Sequence, residues 1–565
     1  MNPSTAMATV LVDELVARVV RHVVLCPGSR SAPLAYAVEA AERAGRLTLH
    51  VRVDERSAGY LALGLAKLTR VPAVVVTTSG TAVANLHPAV LEAHHGVVPL
   101  VVLSADRPVE LRGTGANQTT VQPGMFAGAV RWSADAQAPI RAAGEVGRWR
   151  ALAGDAVRHA TGGEPGTEPG PVHLNVQLRE PLVPTDDEAW PDSLDAPPAT
   201  ELVDTHDAPP AGSRGVEHLA RTVVLVGDLP EPDQLERAVR WAAQRGWPVV
   251  AEPFGTHPRA DVLPHGPLVL GDPDWLDAHA PDRVVAVGRL TLSRPVAALL
   301  RRPGVRVEAV GAHAWIESHP DVHAVHPVSV LDEPAPTGLD TDAAWAEAWR
   351  SAGDRVAAAA AALPAPWPSG LAVAGTVLES LPEGSTLFVG SSSPVRDLDL
   401  AAPRTAGLRV VASRGLAGID GCVSTAVGLA LAGTAPTYAV MGDLTFLHDA
   451  NGLLIGPREP QPDLTLVVVN DDGGGIFTLL EPGEPSRAGE FERIFGTPTG
   501  VDLAALCAAH HVGHRRITSR EELAAALPTR PAGLTVLEVP LDRSAHRDQH
   551  AALRRAAVEA LTSPT

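Results

Sequence analysis

Cysteine is nearly absent from this chain of 565 residues, occurring only as Cys26, Cys422 and Cys507. Three thiols cannot build a disulfide framework and their separations match no zinc-ligand spacing, so a reducing compartment is expected and the protein is read as cytoplasmic. Lysine is scarcer still: Lys67 is the only one, which confines lysine chemistry to that position. Long apolar runs are missing too, since stretches such as 97–103 fall far short of a membrane span. The first residues carry Asp13 and Glu14 and no cleavable apolar core, so no targeting segment is expected. Positive charge is in deficit, with 46 Lys plus Arg against 65 Asp plus Glu and a net charge of −19. That balance argues against nucleic acid and anionic membrane as partners unless basic residues are locally concentrated. An anionic ligand would have to be met by a local arginine cluster.

What is present is a globular composition, 45% hydrophobic and 20% charged, which excludes disorder and fibrous repeats. At roughly 150 residues per domain there is room for about three or four. β-rich runs at 22–26, 47–53, 71–77 and 99–104 alternate with helical stretches at 32–44, 58–68 and 81–95, the signature of a parallel sheet. A Pro-, Asp- and Ala-rich stretch without periodicity interrupts at 186–215. Strands are then expected at 222–226, 248–252, 283–287 and 305–310. A helix capped by Asp340 or Thr341 runs to Leu363 and closes on a proline cluster at 364–368. The last third alternates again, with strands at 386–389, 409–412, 437–441, 464–469 and 534–539. The fold class is therefore α/β, with three parallel-sheet domains at 1–185, 216–338 and 369–565, joined by a linker at 186–215 and a helix with a proline-rich segment at 339–368.

The unusual residues sit on loops after strands, at the carboxyl edge where open α/β sheets bind ligands. The most informative pair is Gly442-Asp443-Leu444-Thr445 and, one helical crossover later, Asn470-Asp471-Asp472-Gly473. Two oxygen-bearing side chains are thereby presented side by side, a donor set that suits a magnesium-type ion bridging a diphosphate. Gly442 lets backbone approach phosphate, and the helix after Asp443 offers N–H donors. Taken singly, each segment reads as a turn; together, at this spacing, they read as a site.

These segments resemble the diphosphate and metal motif of thiamine-diphosphate (ThDP) enzymes, with Leu444 in place of a second Gly and Asp471 in place of a second Asn. The resemblance implies ThDP as cofactor and Mg2+ or Mn2+ as the ion. It implies Asp443, Asp471 and the Gly473 carbonyl as metal ligands, with Asn470 a possible substitute for Asp471. It also names the three domains: pyrimidine-binding, central and diphosphate-binding. Glu55 looks like the glutamate that hydrogen-bonds the aminopyrimidine and promotes deprotonation of the thiazolium carbon. Because that glutamate and the metal motif come from different subunits in the superfamily, at least a homodimer is implied, and the resemblance favours dimers pairing into tetramers.

Within the superfamily, six loops resemble one branch, the 2-succinyl-5-enolpyruvyl-6-hydroxy-3-cyclohexene-1-carboxylate (SEPHCHC) synthases of menaquinone biosynthesis. They are Cys26 to Ser31, Asp54 to Arg56, Thr78 to Asn85, Ser104 to Pro108, Gly115 to Met125 and Ser413 to Gly421. The implied reaction decarboxylates 2-oxoglutarate and adds the succinyl-semialdehyde carbanion 1,4 to isochorismate. Both substrates are dicarboxylates, for which bidentate arginine is the suitable clamp. By resemblance the substrate-facing set is Ser29, Arg30, Arg107, Asn117, Gln118, Arg294, Ser392, Arg396 and Arg414. The cofactor set is Glu55, Ser79, Gly80, Ile419, Gly442, Asp443, Leu444, Thr445, Ile476 and Phe477, with Ile419 under the bent cofactor and Ile476 and Phe477 as a wall against water. Two other readings stand beside this one: another ThDP-dependent carboligase or decarboxylase of a 2-oxo acid, and a non-catalytic relative. His94 and His95 are assigned to structure.

Overall fold

A computed structural model describes residues 1–163, 167–184, 216–231, 233–256, 259–311, 322–401 and 407–563. The linker expected at 186–215 lies outside the described residues. The chain divides into two compact units, the first made of Met1–His206, Asp420–Thr434 and His448–Asp463, and the second of Asp207–Ile419, Ala435–Leu447 and Leu464–Thr565.

The first unit is built on six strands: β1 (His22–Leu25), β2 (Thr48–Val51), β3 (Ala73–Thr77), β4 (Leu100–Asp106), β5 (Trp132–Ala136) and β6 (Pro171–Gln177). They run in the order β2-β1-β3-β4-β6-β5, every neighbouring pair parallel. β3 and β4 are buried along their whole length, which is why they read as unbroken Val/Leu runs rather than alternating ones. Met7 and Leu11 of helix Pro3–Ala17, Leu34 of Ala32–Arg43 and Trp149 and Val157 of Glu145–Ala160 share one core with alternate strand residues such as Val74, Val76 and Leu103. Helix Glu55–Thr69 packs instead against Cys422–Ala432. Their backbones touch: a Cβ on Gly64 would lie 2.2 Å from the Thr425 carbonyl oxygen, and one on Gly428 would lie 2.4 Å from that of Leu61.

The second unit holds two sheets. One contains β7 (Thr222–Val226), β8 (Val249–Ala251), β10 (Arg283–Val287), β11 (Arg306–Val310) and β12 (Ala324–His326), parallel, in the order β12-β11-β10-β7-β8. The other contains β13 (Thr386–Val389), β14 (Arg409–Val411), β15 (Thr437–Gly442), β16 (Leu464–Asn470), β17 (Gly513–Arg516) and β18 (Leu534–Pro540). These are parallel in the order β17-β18-β16-β15-β13-β14, and the two-residue β9 (Gly255–Thr256) adds to β14 antiparallel. Helix Ala343–Ala362 is capped by Asp342, one or two residues later than the sequence suggests, because its carboxylate accepts the Trp345 N–H at 3.0 Å. Trp345, Trp349, Ala352 and Val356, at helical spacing, join the five-stranded sheet's core together with Leu553 and Leu561 of the final helix, His546–Thr562.

Five strands escape the sequence pattern: β5, β6, β9, β12 and β17. β6 is wholly buried yet carries His173, Asn175 and Gln177, so it shows no apolar run. β17 is an edge strand of sequence Gly-His-Arg-Arg. No described helix is long and apolar enough to cross a membrane.

Candidate active site

In the first unit the loops after β1, β3 and β4 meet at the carboxyl edge. A Cβ on Gly28 would lie 2.3 Å from that of Thr78, so the first two loops stack directly. Arg107, buried, donates from Nη1 to the Ser79 hydroxyl at 2.6 Å and to the Gln118 carbonyl at 3.2 Å, while Ser79 Oγ donates to the same carbonyl at 2.9 Å. Gln118 holds a φ of +54°, the kind of backbone strain that clusters at functional loops. Arg30 donates to the Leu178 carbonyl at 3.0 Å. Burial and the nearby Arg107 guanidinium lower its pKa, so the two cations face a common region. Ser29, Asn117 and Gln118 are exposed around them.

Beneath this edge lies a polar ladder that the sequence did not reveal. Gln122 accepts the Gly80 N–H at 2.8 Å and donates to Asn175 at 2.8 Å. Asn175 donates to Asp106 and Asp135, and Asp106 accepts the Arg107 N–H at 2.7 Å. Each rung satisfies a buried polar group, so Gly80 and Arg107 are held from below. Glu55 is the first residue of its helix, capped by Asp54, whose Oδ1 accepts the Arg56 N–H at 2.9 Å. Glu55 is half-buried, and its carboxyl group makes no hydrogen bond or ion pair to any described residue. His94 contacts the Ala129 carbonyl and Arg131, a structural role.

In the second unit, strand order brings the loops after β16, β15, β13 and β14 into one row. Asp443 follows β15 directly and Asp471 follows β16, and their carboxyl groups hydrogen-bond to each other. Burial pushes Asp443 up to about 6, against backbone N–H groups of Leu444 and Gly473 that favour its anion. Burial and the Asp443 charge push Asp471 up to about 8. The pair therefore keeps about one proton near neutrality, an arrangement that a dication would relieve. Asn470 points elsewhere, donating to Glu538 at 2.8 Å and accepting the Asp472 N–H at 3.1 Å. Arg543 donates to the Asp471 carbonyl at 2.6 Å, which ties down the loop. Gly473 has a φ of +148°, and a Cβ there would lie 1.9 Å from the Gly496 carbonyl oxygen.

The arginines gather along the same row. Arg414, after β14, is only 2% exposed and donates to Thr291 Oγ1 from Nε at 3.0 Å and from Nη2 at 2.8 Å. Arg396, on the helix after β13, donates to the carbonyl of Ser392, whose φ is +80°. Burial, then Arg414, then more weakly Arg294, lower the Arg396 pKa, which places the three guanidiniums within one field. Arg294 is the outermost, its side chain 73% exposed and paired with Glu481 at 3.1 Å. Ile419 is half-buried on the loop after β14, and Ile476 and Phe477 are half-buried on the turn Gly475–Leu479, where Phe477 packs on Phe495. Thr445 is buried and Leu444 half-buried on the short helix after Gly442.

The residues fit a metal-bound diphosphate. A Cβ on Gly442 would meet nothing within 4 Å, so the space beside Asp443 is open. The hydroxyls of Ser391, Ser393 and Ser413, on the neighbouring loops, are buried without a hydrogen-bond partner among the described residues, donors that phosphate or carboxylate oxygens would satisfy. Ser413 opens one of the six loops named above, whereas Ser391 and Ser393 were not singled out; the run Gly390-Ser391-Ser392-Ser393 after a strand was the available signal. No group of three or more His, Cys, Asp or Glu able to hold an ion occurs among the described residues, so an ion at Asp443 and Asp471 would complete its shell with carbonyl and ligand oxygens.

Comparison with known proteins agrees. The family model of the thiamine pyrophosphate enzyme N-terminal TPP binding domain matches residues 5–125, and that of the C-terminal TPP binding domain matches residues 398–539. A SEPHCHC synthase of Kineococcus radiotolerans is 50% identical over 99% of this chain and 100% of its own length. Those of Saccharopolyspora erythraea and Thermobifida fusca are 47% and 44% identical over 98% and 100% of this chain, in both cases over 100% of the relative. Among solved structures, benzoylformate decarboxylase from Polynucleobacter necessarius matches with a TM-score of 0.66 at 17% identity, covering 96% of this chain and 99% of that one, a likeness of fold. Near-complete coverage at this identity, together with both cofactor-domain matches, shows that the chain belongs to the SEPHCHC synthase family of thiamine-diphosphate-dependent enzymes.

Proposed function

We propose that this chain decarboxylates 2-oxoglutarate and adds the resulting succinyl-semialdehyde carbanion 1,4 to isochorismate, releasing SEPHCHC and CO2 in menaquinone biosynthesis. The observation that carries this reading is the row of loops after β16, β15, β13 and β14, which puts Arg396 and Arg414 on the same sheet edge as the Asp443–Asp471 pair in a protein of net charge −19. Cations concentrated there are what two dicarboxylates require.

Bound ThDP supplies the carbon nucleophile and the electron sink for decarboxylation. Asp443, Asp471 and the Gly473 carbonyl would hold Mg2+ or Mn2+, and Gly442, Leu444 and Thr445 would line the diphosphate. Glu55 would supply the carboxyl group that hydrogen-bonds the aminopyrimidine and moves its proton, with Ser79 and Gly80 lining the same part of the cofactor site. Ile419 would pack against the cofactor, and Ile476 and Phe477 would exclude water from the reacting region. Arg294, Ser392, Arg396 and Arg414 bind substrate carboxylates, as do Ser29, Arg30, Arg107, Asn117 and Gln118. The working form is a cytoplasmic homodimer, or a homotetramer made of two dimers.

The test is incubation with ThDP, Mg2+, 2-oxoglutarate and isochorismate, following CO2 and the adduct by mass. Consumption of 2-oxoglutarate that depends on isochorismate is expected. Turnover of pyruvate with none of 2-oxoglutarate would overturn the assignment in favour of another ThDP-dependent enzyme.

A further inference from the structure

Glu252, just after β8, is 4% exposed and belongs to no motif described above. A carboxyl group so placed is costly unless hydrogen-bonded. Its Oε1 accepts two backbone N–H groups, from Thr291 at 2.8 Å and Leu292 at 2.7 Å. Thr291 is in turn the anchor of Arg414: Oγ1 accepts Nε and Nη2 at 3.0 and 2.8 Å, and the carbonyl accepts Nη2 at 3.3 Å. The Arg414 guanidinium carbon lies 5.7 Å from the ring centroid of Phe254, two residues beyond Glu252. Two of the three guanidinium nitrogens are thus committed to Thr291, and Nη1 makes no hydrogen bond among the described residues.

The segment that holds Glu252 is itself fixed. Its N–H donates to the Val226 carbonyl at 2.8 Å, Arg259 donates to its carbonyl at 2.8 Å, and β9 then pairs with β14, the strand that leads to Arg414. No ion pair joins Glu252 and Arg414 among the described residues, so the connection runs through Thr291.

We propose that Glu252 is a positioning residue for substrate binding: by fixing the Thr291–Leu292 backbone it holds Arg414 in place with Nη1 available to a substrate carboxylate. This rests on the assignment of Arg414 to the substrate clamp made above. What matters is the acceptor oxygen and not the charge. Burial pushes Glu252 up to about 8, against the opposing influence of Arg414 and the two N–H groups, and its Oε2 has no hydrogen-bond partner among the described residues. A glutamine amide can therefore stand in.

The experiment compares Glu252→Gln, Glu252→Leu, Thr291→Val and Arg414→Ala as ThDP–Mg2+ holoenzymes, measuring kcat, KM for each dicarboxylate, cofactor affinity and Tm. Arg414→Ala identifies which substrate that arginine holds, as the one whose KM rises. For that substrate Glu252→Leu is expected to raise KM about tenfold, with kcat within about threefold and cofactor affinity unchanged, while Glu252→Gln stays within about twofold of wild type. A lower Tm with unchanged KM in Glu252→Leu overturns the proposal. Should Glu252→Leu fail to fold, Thr291→Val, which removes only the hydroxyl, decides: raised KM supports the link and unchanged KM overturns it. If Arg414→Ala itself leaves both KM values unchanged, the clamp assignment has failed rather than the link to it.

Discussion

Binding of a divalent ion at Asp443 and Asp471 should release about one proton at pH 7. Without an ion the two carboxyls titrate near about 6 and about 8, so at neutrality one is ionised and the other still largely protonated. A metal-bound pair carries no proton, so apparent Mg2+ affinity should rise about tenfold per pH unit between about 6 and 8, about 1.4 kcal/mol each. The sign for stability follows from the same values. Folded-state values raised above the ordinary aspartate 3.8 mean that the pair's contribution is fully present below 3.8 and is lost as pH climbs through 6 and then 8. Mg2+ relieves that repulsion, so the Tm increment from ThDP and Mg2+ should be larger at pH 8 than at pH 6. Calorimetric titration at pH 7 in two buffers of different ionisation enthalpy counts the protons. Subtracting the Asp471→Asn titration removes those contributed by the cofactor. A difference of zero protons, with affinity flat from pH 6 to 8, would refute the carboxylate pair as the ion's site.

Other perturbations have equally definite outcomes. Gly475→Ala places a Cβ 1.8 Å from Asp471 Oδ2 and should weaken ThDP–Mg2+ binding at least about tenfold while far-UV circular dichroism is unchanged. Gly64→Ala drives a methyl to 2.2 Å from the Thr425 carbonyl oxygen, where both partners are helix backbone, and should cost about 1–3 kcal/mol in denaturant unfolding. Glu55→Gln should lower turnover by orders of magnitude with ThDP still bound; wild-type rates would remove Glu55 from its role. Mixing inactive Glu55→Gln and Asp443→Asn chains should restore activity if each site draws on two subunits, and a mixture that stays inactive at every ratio would argue for sites built within one chain.

The chain itself announces the α/β class, the long central strands and the loops that matter. A parallel sheet covered on both faces needs unbroken apolar strands, and its ligand loops must follow them, so β1, β3, β4, β15 and β16 with their polar turns stand out. The arginine-rich loops are legible for the same reason: in a chain of net charge −19, guanidiniums recurring after strands are conspicuous. Only the tertiary structure distinguishes Asn470 from Asp471, because a one-residue shift at a strand end reverses which side chain faces the neighbouring loop. Here Asn470 turns to Glu538 and Asp471 to Asp443. β6 was hidden because its buried face is polar, satisfied by partners on β4, β5 and a distant loop that no local pattern predicts. Glu252 was equally silent, since its two bonds reach residues 39 and 40 positions away. Local pattern records what each segment buries; it does not record what a buried carboxyl or glycine meets once distant segments pack.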